Sequence, residues 1–227
     1  LREIKPKGMI FLGGSVANFQ NGFSSISVPA VLATLVSDEL HFPNLSMVGV
    51  DDRAAAHTAV AHLIAQGHSK IAVLGGPATS FPSRMRRLGA QDAMEQAGLI
   101  FDDRLYGLSN YDFESAYHAM NSLLARRAEF TALFAMSDVI AFGAIRALVS
   151  AGFRVPQDVS VIGFDGITMS RYCVPVMTTI VQPSEQIALQ SIELLINQIE
   201  HGAPAQTITL QPELQQGESV CPCRHPL

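Results

Sequence analysis

The sequence predicts an α/β fold built on parallel strands flanked by helices. From Asp51 onward, short apolar runs alternate with longer segments whose apolar residues recur at helical spacing, and glycines close most of those segments. A second sign is the run from Val159 to Phe164, bounded by Asp158 on one side and Asp165–Gly166 on the other. A short, β-branched apolar run between turn residues fits a parallel strand covered on both faces. Repeated strand–helix alternation of this length gives a doubly wound sheet.

Taken in order, Gly8 to Leu12, Val28 to Leu35 and Ser46 to Val50 read as buried strands. The polar stretch Ser15 to Ser25 between the first two shows little helix, although parallel strands need a crossover. Ala56, Ala59, Val60, Leu63 and Ile64 then mark an amphipathic helix closed by Gly67. Ile71 to Leu74 is the next strand and ends in Gly75–Gly76–Pro77. Met85, Leu88, Gly89, Ala93 and Ala97 mark a helix closed by Gly98, and Phe113 to Leu124 marks another. Thr131 to Met136 is a strand leading into Ser137–Asp138, followed by a helix from Ile140 to Leu148 that ends before Gly152. After Pro183 a helix carries Ile187, Ser191, Leu195 and Ile199 on one face and stops at Gly202. Thr207 to Leu210 is a last short strand.

Composition narrows the function classes. The chain has 227 residues, 48% hydrophobic and 15% charged, which suits a buried globular core and not a disordered chain. Its net charge of −5 has the wrong sign for a domain that grips DNA phosphates by itself. There is no apolar run long enough for a membrane span. Only Cys173, Cys221 and Cys223 occur, a sparse, odd count that fits a reducing cytoplasm. Cys173 reads as a buried free thiol. Cys221 and Cys223 read as a frayed tail before a metal site, which would need further ligands at defined spacing.

Motifs for chemistry are few. Gly13–Gly14 and Gly75–Gly76 follow strands but complete no dinucleotide or P-loop pattern, so both read as tight turns. No nucleophile elbow is present. The seven histidines are scattered and read as surface residues. Arg84, Arg86 and Arg87 open an otherwise apolar helix, where the macrodipole disfavours cations. A solvated basic patch would explain them, and so would an arginine aimed at paired ligand oxygens. Asp165 falls at the carboxyl end of its strand, the edge where open α/β sheets bind ligands. It could equally cap a loop. Asp138 reads as the cap of the helix that follows it.

Gly152, Val155–Pro156, Asp158–Val159–Ser160, Ile162–Gly163, Asp165, Arg171–Tyr172, Pro175, Thr178–Thr179–Ile180 and Gln182–Pro183 together resemble the sugar-binding core of the lac and galactose repressor family of bacterial transcription regulators. Roughly Lys7 to Val220 can be laid on that family, with the strongest match in the C-terminal half to its purine-responsive members. The resemblance implies a two-lobed, periplasmic-binding-protein-like fold. It assigns residues 1–50 to a first lobe that begins part-way in, 51–180 to a second lobe, 181–203 to a helix returning to the first, 204–220 to a final strand crossing to the second, and 221–227 to a tail. It also implies an N-terminal helix-turn-helix, which this sequence does not show.

The resemblance further implies a ligand site between the lobes. Aligning Gly89 puts Arg86 on the family's ligand-binding arginine, although Arg87 and Leu88 follow where relatives have leucine and a variable residue. Tyr111 falls on a ligand-stacking aromatic, with packing at a loop–helix junction as the plainer alternative. Ser137 stands where most relatives have asparagine. Asp165 would accept hydrogen bonds from adjacent ligand hydroxyls. Ser80 and Pro82 stand where purine binding would need arginine and threonine, so the implied effector is a sugar or sugar derivative. The implied protein is a cytoplasmic, homodimeric regulator that binds operator DNA under effector control. It would be no enzyme, would need no cofactor or metal and would bind no membrane. A periplasmic sugar-binding protein of a transporter shares the fold and is the alternative.

Overall fold

The computed structural model describes residues 5–224. In chain order its elements are β1 (Met9–Leu12), α1 (Val16–Gly22), β2 (Ala30–Ala33), β3 (Leu45–Val50), α2 (Asp52–Ala65), β4 (Ile71–Gly75), α3 (Phe81–Gln96), β5 (Tyr106–Leu108), α4 (Phe113–Ala125), β6 (Ala132–Ala135), α5 (Asp138–Ser150), β7 (Ser160–Asp165), β8 (Thr178–Val181), α6 (Ser184–His201), β9 (Thr207–Leu210) and β10 (Glu213–Gln215). They fall into two units. One holds the chain up to Asp51 together with Pro183–Gln211, and the other holds Asp52–Gln182 together with the chain from Pro212.

The first unit has four parallel strands in the order β1-β2-β3-β9. β2 and β3 are buried along their whole length. Val31, Ala33 and Val48 pack against Ile187 and Leu194 of α6. That helix ends because Gly202 adopts φ 62, the left-handed region that glycine enters without a Cβ penalty. The stretch expected to be loop between β1 and β2 contains α1. Local periodicity hides it because the helix is seven residues long and is held by aromatic packing. Phe19 meets Phe11 edge-on at 5.1 Å and stacks on Phe23 at 5.7 Å, and Phe23 in turn meets Phe42 at 4.8 Å.

The second unit has six strands in the order β10-β8-β7-β6-β4-β5, parallel except for β10. Its core runs through β4, β6 and β7, with Phe134 and Phe164 fully buried. β5 lies on one side of β4, while β6, β7 and β8 extend on the other. The order therefore reverses beside β4, which makes its carboxyl end a topological switch point. Helix α2 packs on α3 and α4 on α5. Both seams run over glycines. A Cβ on Gly89 of α3 would overlap the Arg53 carbonyl, and one on Gly143 of α5 would lie 2.5 Å from the Phe113 carbonyl oxygen.

Thr207–Leu210 is not the last strand. It pairs with β3 in the first unit, and β10 follows it in the second, antiparallel to β8. The segment after β10 is fastened where a frayed tail was expected. Buried Ser219 accepts from the Thr178 amide at 2.8 Å and donates its hydroxyl to the Val161 carbonyl at 2.6 Å. The Cys223 amide donates to the Gln66 carbonyl at 2.8 Å. The final three residues, His225 included, lie outside the described residues.

His68 also departs from expectation, being 3% exposed. Its Nε2 lies 3.1 Å from the Cys221 carbonyl oxygen and 3.1 Å from Ser160 Oγ, and its Nδ1 lies 2.9 Å from Thr131 Oγ1. A carbonyl only accepts, so the ring proton sits on Nε2 and Nδ1 accepts from Thr131. Burial lowers its pKa, and the bond to Cys221 opposes that in part.

Candidate functional site

Every residue proposed from sequence for ligand binding lies on one rim of the second unit, at the carboxyl ends of its parallel strands. Arg86 reaches the rim from the second turn of α3 and is 6% exposed. Its guanidinium lies over the Phe164 ring, 3.6 Å from the centroid. Nε donates to Asp52 Oδ1 at 2.7 Å. Nη1 donates to the Met136 carbonyl and lies 3.6 Å from Asp165 Oδ1. Burial works to lower the Arg86 pKa, but the charges of Asp52 and Asp165 outweigh it and raise the pKa, so the cation is held.

The three arginines of α3 have separate tasks. Arg84 lies over Phe81, 5.4 Å from the ring centroid. Arg87 lies over Tyr106 at 4.4 Å and pairs with Asp103 at 2.9 Å. The helix begins at Phe81, with Pro82 in its first turn and Ser80 as N-cap accepting from the Ser83 amide. Arg86 is therefore past the orphan amides of the first turn, where a cation would be most disfavoured.

Asp165 ends β7 with φ 106, outside the usual region for a residue with a side chain. Strain of this kind persists where the surroundings fix it and gathers at functional positions. Its Oδ1 accepts from Gln182 Nε2 at 2.7 Å, and its main-chain oxygen accepts from the Gln182 amide at 3.1 Å. Burial raises its pKa, while Arg86 and Gln182 pull it back. Even so, 29% of the side chain remains open.

Tyr111 also has a positive φ, at 60. Its ring packs on the backbone of Gly76, where a Cβ would overlap it. Gly76 thus makes room for an aromatic ring at the bend that leads from β4 into α3, without a positive φ. The Tyr111 hydroxyl is buried without a hydrogen-bond partner among the described residues. Ser137 is 3% exposed and is the N-cap of α5, accepting from the Ile140 amide at 3.1 Å. The capping expected of Asp138 is therefore done by Ser137.

Asp138 is fully buried one residue further on. Its Oδ1 accepts from Thr179 Oγ1 at 2.6 Å and its Oδ2 from the Ile167 amide at 2.8 Å. It ties β8 and the loop after β7 to α5. Gly163 allows this, since a Cβ there would overlap Asp138 Oδ1. Burial pushes the Asp138 pKa up to about 6 against those two hydrogen bonds, and the charge of Asp165 pushes the same way.

Asp52 was missed from sequence, where it reads only as an acidic residue opening α2. Nothing local announces that its partner is Arg86. Among the described residues, no group of three or more His, Cys, Asp or Glu is placed to hold a metal ion. No helix among them is long and apolar enough to cross a membrane. The rim can therefore present one held cation and a part-open carboxylate to a small polar molecule, next to the buried, unpartnered phenol of Tyr111.

Residues 60–220 match the family model described as periplasmic binding protein-like domain. The HTH-type transcriptional regulator MalR of Clostridium butyricum is 34% identical over 221 residues, which is 96% of this chain and 66% of the relative. The HTH-type transcriptional repressor CytR of Escherichia coli is 35% identical over 172 residues, 76% of this chain and 50% of the relative. The chain thus spans about half to two thirds of the length of the curated relatives it matches. Among solved structures, a CelR transcriptional regulator in complex with cellobiose superposes with a TM-score of 0.86 at 28% identity, covering 94% of this chain and 65% of that one. A sugar-binding regulator of the LacI family from Escherichia coli, complexed with phosphate, gives 0.81 at 30% identity, covering 96% and 78%.

Proposed function

Because the chain belongs to the periplasmic binding protein-like domain family, in the form found in lac repressor-type regulators, we propose that it is the effector-sensing part of a transcription regulator. The effector is a small polar molecule, a sugar or sugar derivative, bound at the rim of the second unit. The observation that carries this reading is the buried Asp52–Arg86–Asp165 array at the switch point. Asp52, Met136 and Asp165 engage Nε and Nη1 of Arg86, which leaves Nη2 to donate to a ligand oxygen. Asp165 Oδ1 is engaged by Gln182, which leaves Oδ2 to accept from ligand hydroxyls. Tyr111 offers its hydroxyl and Ser137 its hydroxyl proton. A sugar would satisfy these groups, and the cellobiose bound by the CelR relative is consistent with that class.

In this reading the regulator is a cytoplasmic homodimer. Effector binding alters the affinity of the same protein for operator DNA through a helix-turn-helix, and the coupling is reciprocal. The relatives, being HTH-type regulators, favour this over the transporter alternative. No cofactor or metal takes part.

A thermal-shift panel of pentoses, hexoses, disaccharides, sugar phosphates and purines tests the proposal. A ligand at about 100 times its Kd adds roughly 2.7 kcal/mol, a rise of roughly 5–10 °C for a chain of this size. The expected result is a rise with one sugar class that Arg86→Ala and Asp165→Ala abolish. A rise retained by both variants would overturn the site, and a rise with purines alone would overturn the sugar class.

A further inference from the structure

The amino-end face of the second unit's sheet carries two thiols that the effector reading does not use. Cys221 and Cys223 are both half-buried, with exposed Pro222 between them. Both line one opening of about 210 Å³, together with Thr131, Arg154 and Arg224. Cys221 Sγ donates to the Pro156 carbonyl at 3.4 Å and Cys223 Sγ to Thr131 Oγ1 at 3.7 Å, weak partners that hold neither sulfur firmly.

The backbone around the thiols is tied to the sheet. The Cys221 amide donates to Ser160 Oγ at 3.1 Å, the Cys221 carbonyl accepts from His68, and the Cys223 amide donates to the Gln66 carbonyl. Cα atoms two residues apart in an extended segment are separated by about 6.6 Å. Disulfides prefer roughly 5.5–6 Å and tolerate up to about 6.8 Å. A disulfide also needs the two Cβ atoms within about 4.5 Å, so joining these thiols contracts the segment against its anchors.

We propose that Cys221 and Cys223 form an oxidant-responsive dithiol whose product is a disulfide within the segment. With a peroxide as oxidant, one thiolate sulfur attacks an oxygen, the O–O bond breaks, and the released hydroxide takes up the thiol proton as water. The resulting sulfenic sulfur is attacked by the second thiol, its S–O bond breaks, and a second water leaves with the second proton. Two thiols lose two electrons, and one peroxide becomes two waters. Transient disulfides of this kind are the ones a reducing compartment tolerates. Contraction draws the Cys223 amide away from Gln66, so oxidation loosens the segment that fastens β7 and β8.

The test uses the full chain treated with hydrogen peroxide without reductant, followed by thiol counting in denaturant, peptide mass spectrometry and amide exchange. Two of the three free thiols should disappear. The peptide spanning 221–223 should be lighter by two hydrogen atoms, and dithiothreitol should reverse both changes. Cys173→Ser should leave the loss intact, whereas Cys221→Ser should stop at a sulfenic acid on Cys223 that dimedone traps. The Cys223 amide should lose exchange protection on oxidation. Three thiols surviving treatment, oxidation at Cys173, or only intermolecular crosslinks would overturn the site. A disulfide formed with protection unchanged would overturn the coupling. The wild-type mass measurement stands whether or not a variant folds.

Discussion

Asp138 illustrates how one buried carboxyl makes stability depend on pH. Its pKa is raised from 3.8 to about 6, chiefly by burial. In the unfolded chain the group ionises first, so the folded state holds the extra proton between about pH 4 and 6. Its contribution to stability is therefore full below about pH 4 and is lost as pH rises through about 6. The shift corresponds to at most about 3 kcal/mol. Chemical denaturation at pH 4.5 and pH 7.5 should show Asp138→Asn losing markedly less stability across this window, or gaining more, than the wild type. Asp52 gives a second expectation, because removing one partner of a buried ion pair costs about 3–5 kcal/mol. Asp52→Ala should destabilise by that order, and adding Arg86→Met should recover much of the loss, as read from denaturation midpoints. At this scale the sequence pointed to Asp165 by its place at a strand end, and to Arg86 among three neighbouring arginines only through the resemblance to the repressor family. It was silent about Asp52, His68 and the Tyr111–Gly76 contact. His68 is made a core residue by Thr131, Ser160 and Cys221, which lie 63, 92 and 153 positions away.

The helix seams decide a prediction at the scale of elements. Glycine within a helix costs about 1 kcal/mol relative to alanine, so Gly89→Ala would stabilise an exposed helix. Here the added methyl meets the Arg53 carbonyl of α2, and overpacking costs about 1–3 kcal/mol. The clash is with backbone, which cannot rotate aside, so the packing cost wins. Gly89→Ala should lower the melting temperature, and a rise would mean that α2 and α3 do not meet as closely as described. Elements with a full period were legible, since α2, α3, α4 and α5 carry their apolar stripes and closing residues in sequence. Strand cores were legible too, with ends off by one or two residues, because apolar runs continue past the last ladder bond. The short elements α1, β5 and β10 were not. Three to seven residues give no period, and these depend on partners elsewhere in the chain: Phe11 and Phe42 for α1, β4 for β5 and β8 for β10.

The whole chain passes from one unit to the other near residues 51, 182 and 211. Neither unit is a continuous piece of sequence, and Ser219 shows what the last passage contributes. It serves the Thr178 amide and the Val161 carbonyl at once. Residues 52–182 expressed alone should therefore be poorly soluble, whereas the same residues linked to 212–224 should give a folded unit with a cooperative melt. Equal behaviour of the two proteins would show that the segment is dispensable. The order of synthesis adds a constraint on the first unit. Ser46 in β3 receives the Gln206 amide, 160 residues further along. At about 5–20 residues per second, the ribosome needs roughly 8–30 s to deliver that partner. Through that interval β1, β2 and β3 have left the ribosome without α6 or β9 to cover them, while most of the second unit has already been made. Strands β1, β2 and β3 thus wait on a helix and a strand made long after them, and whatever shields them in the meantime is part of how this protein comes to exist.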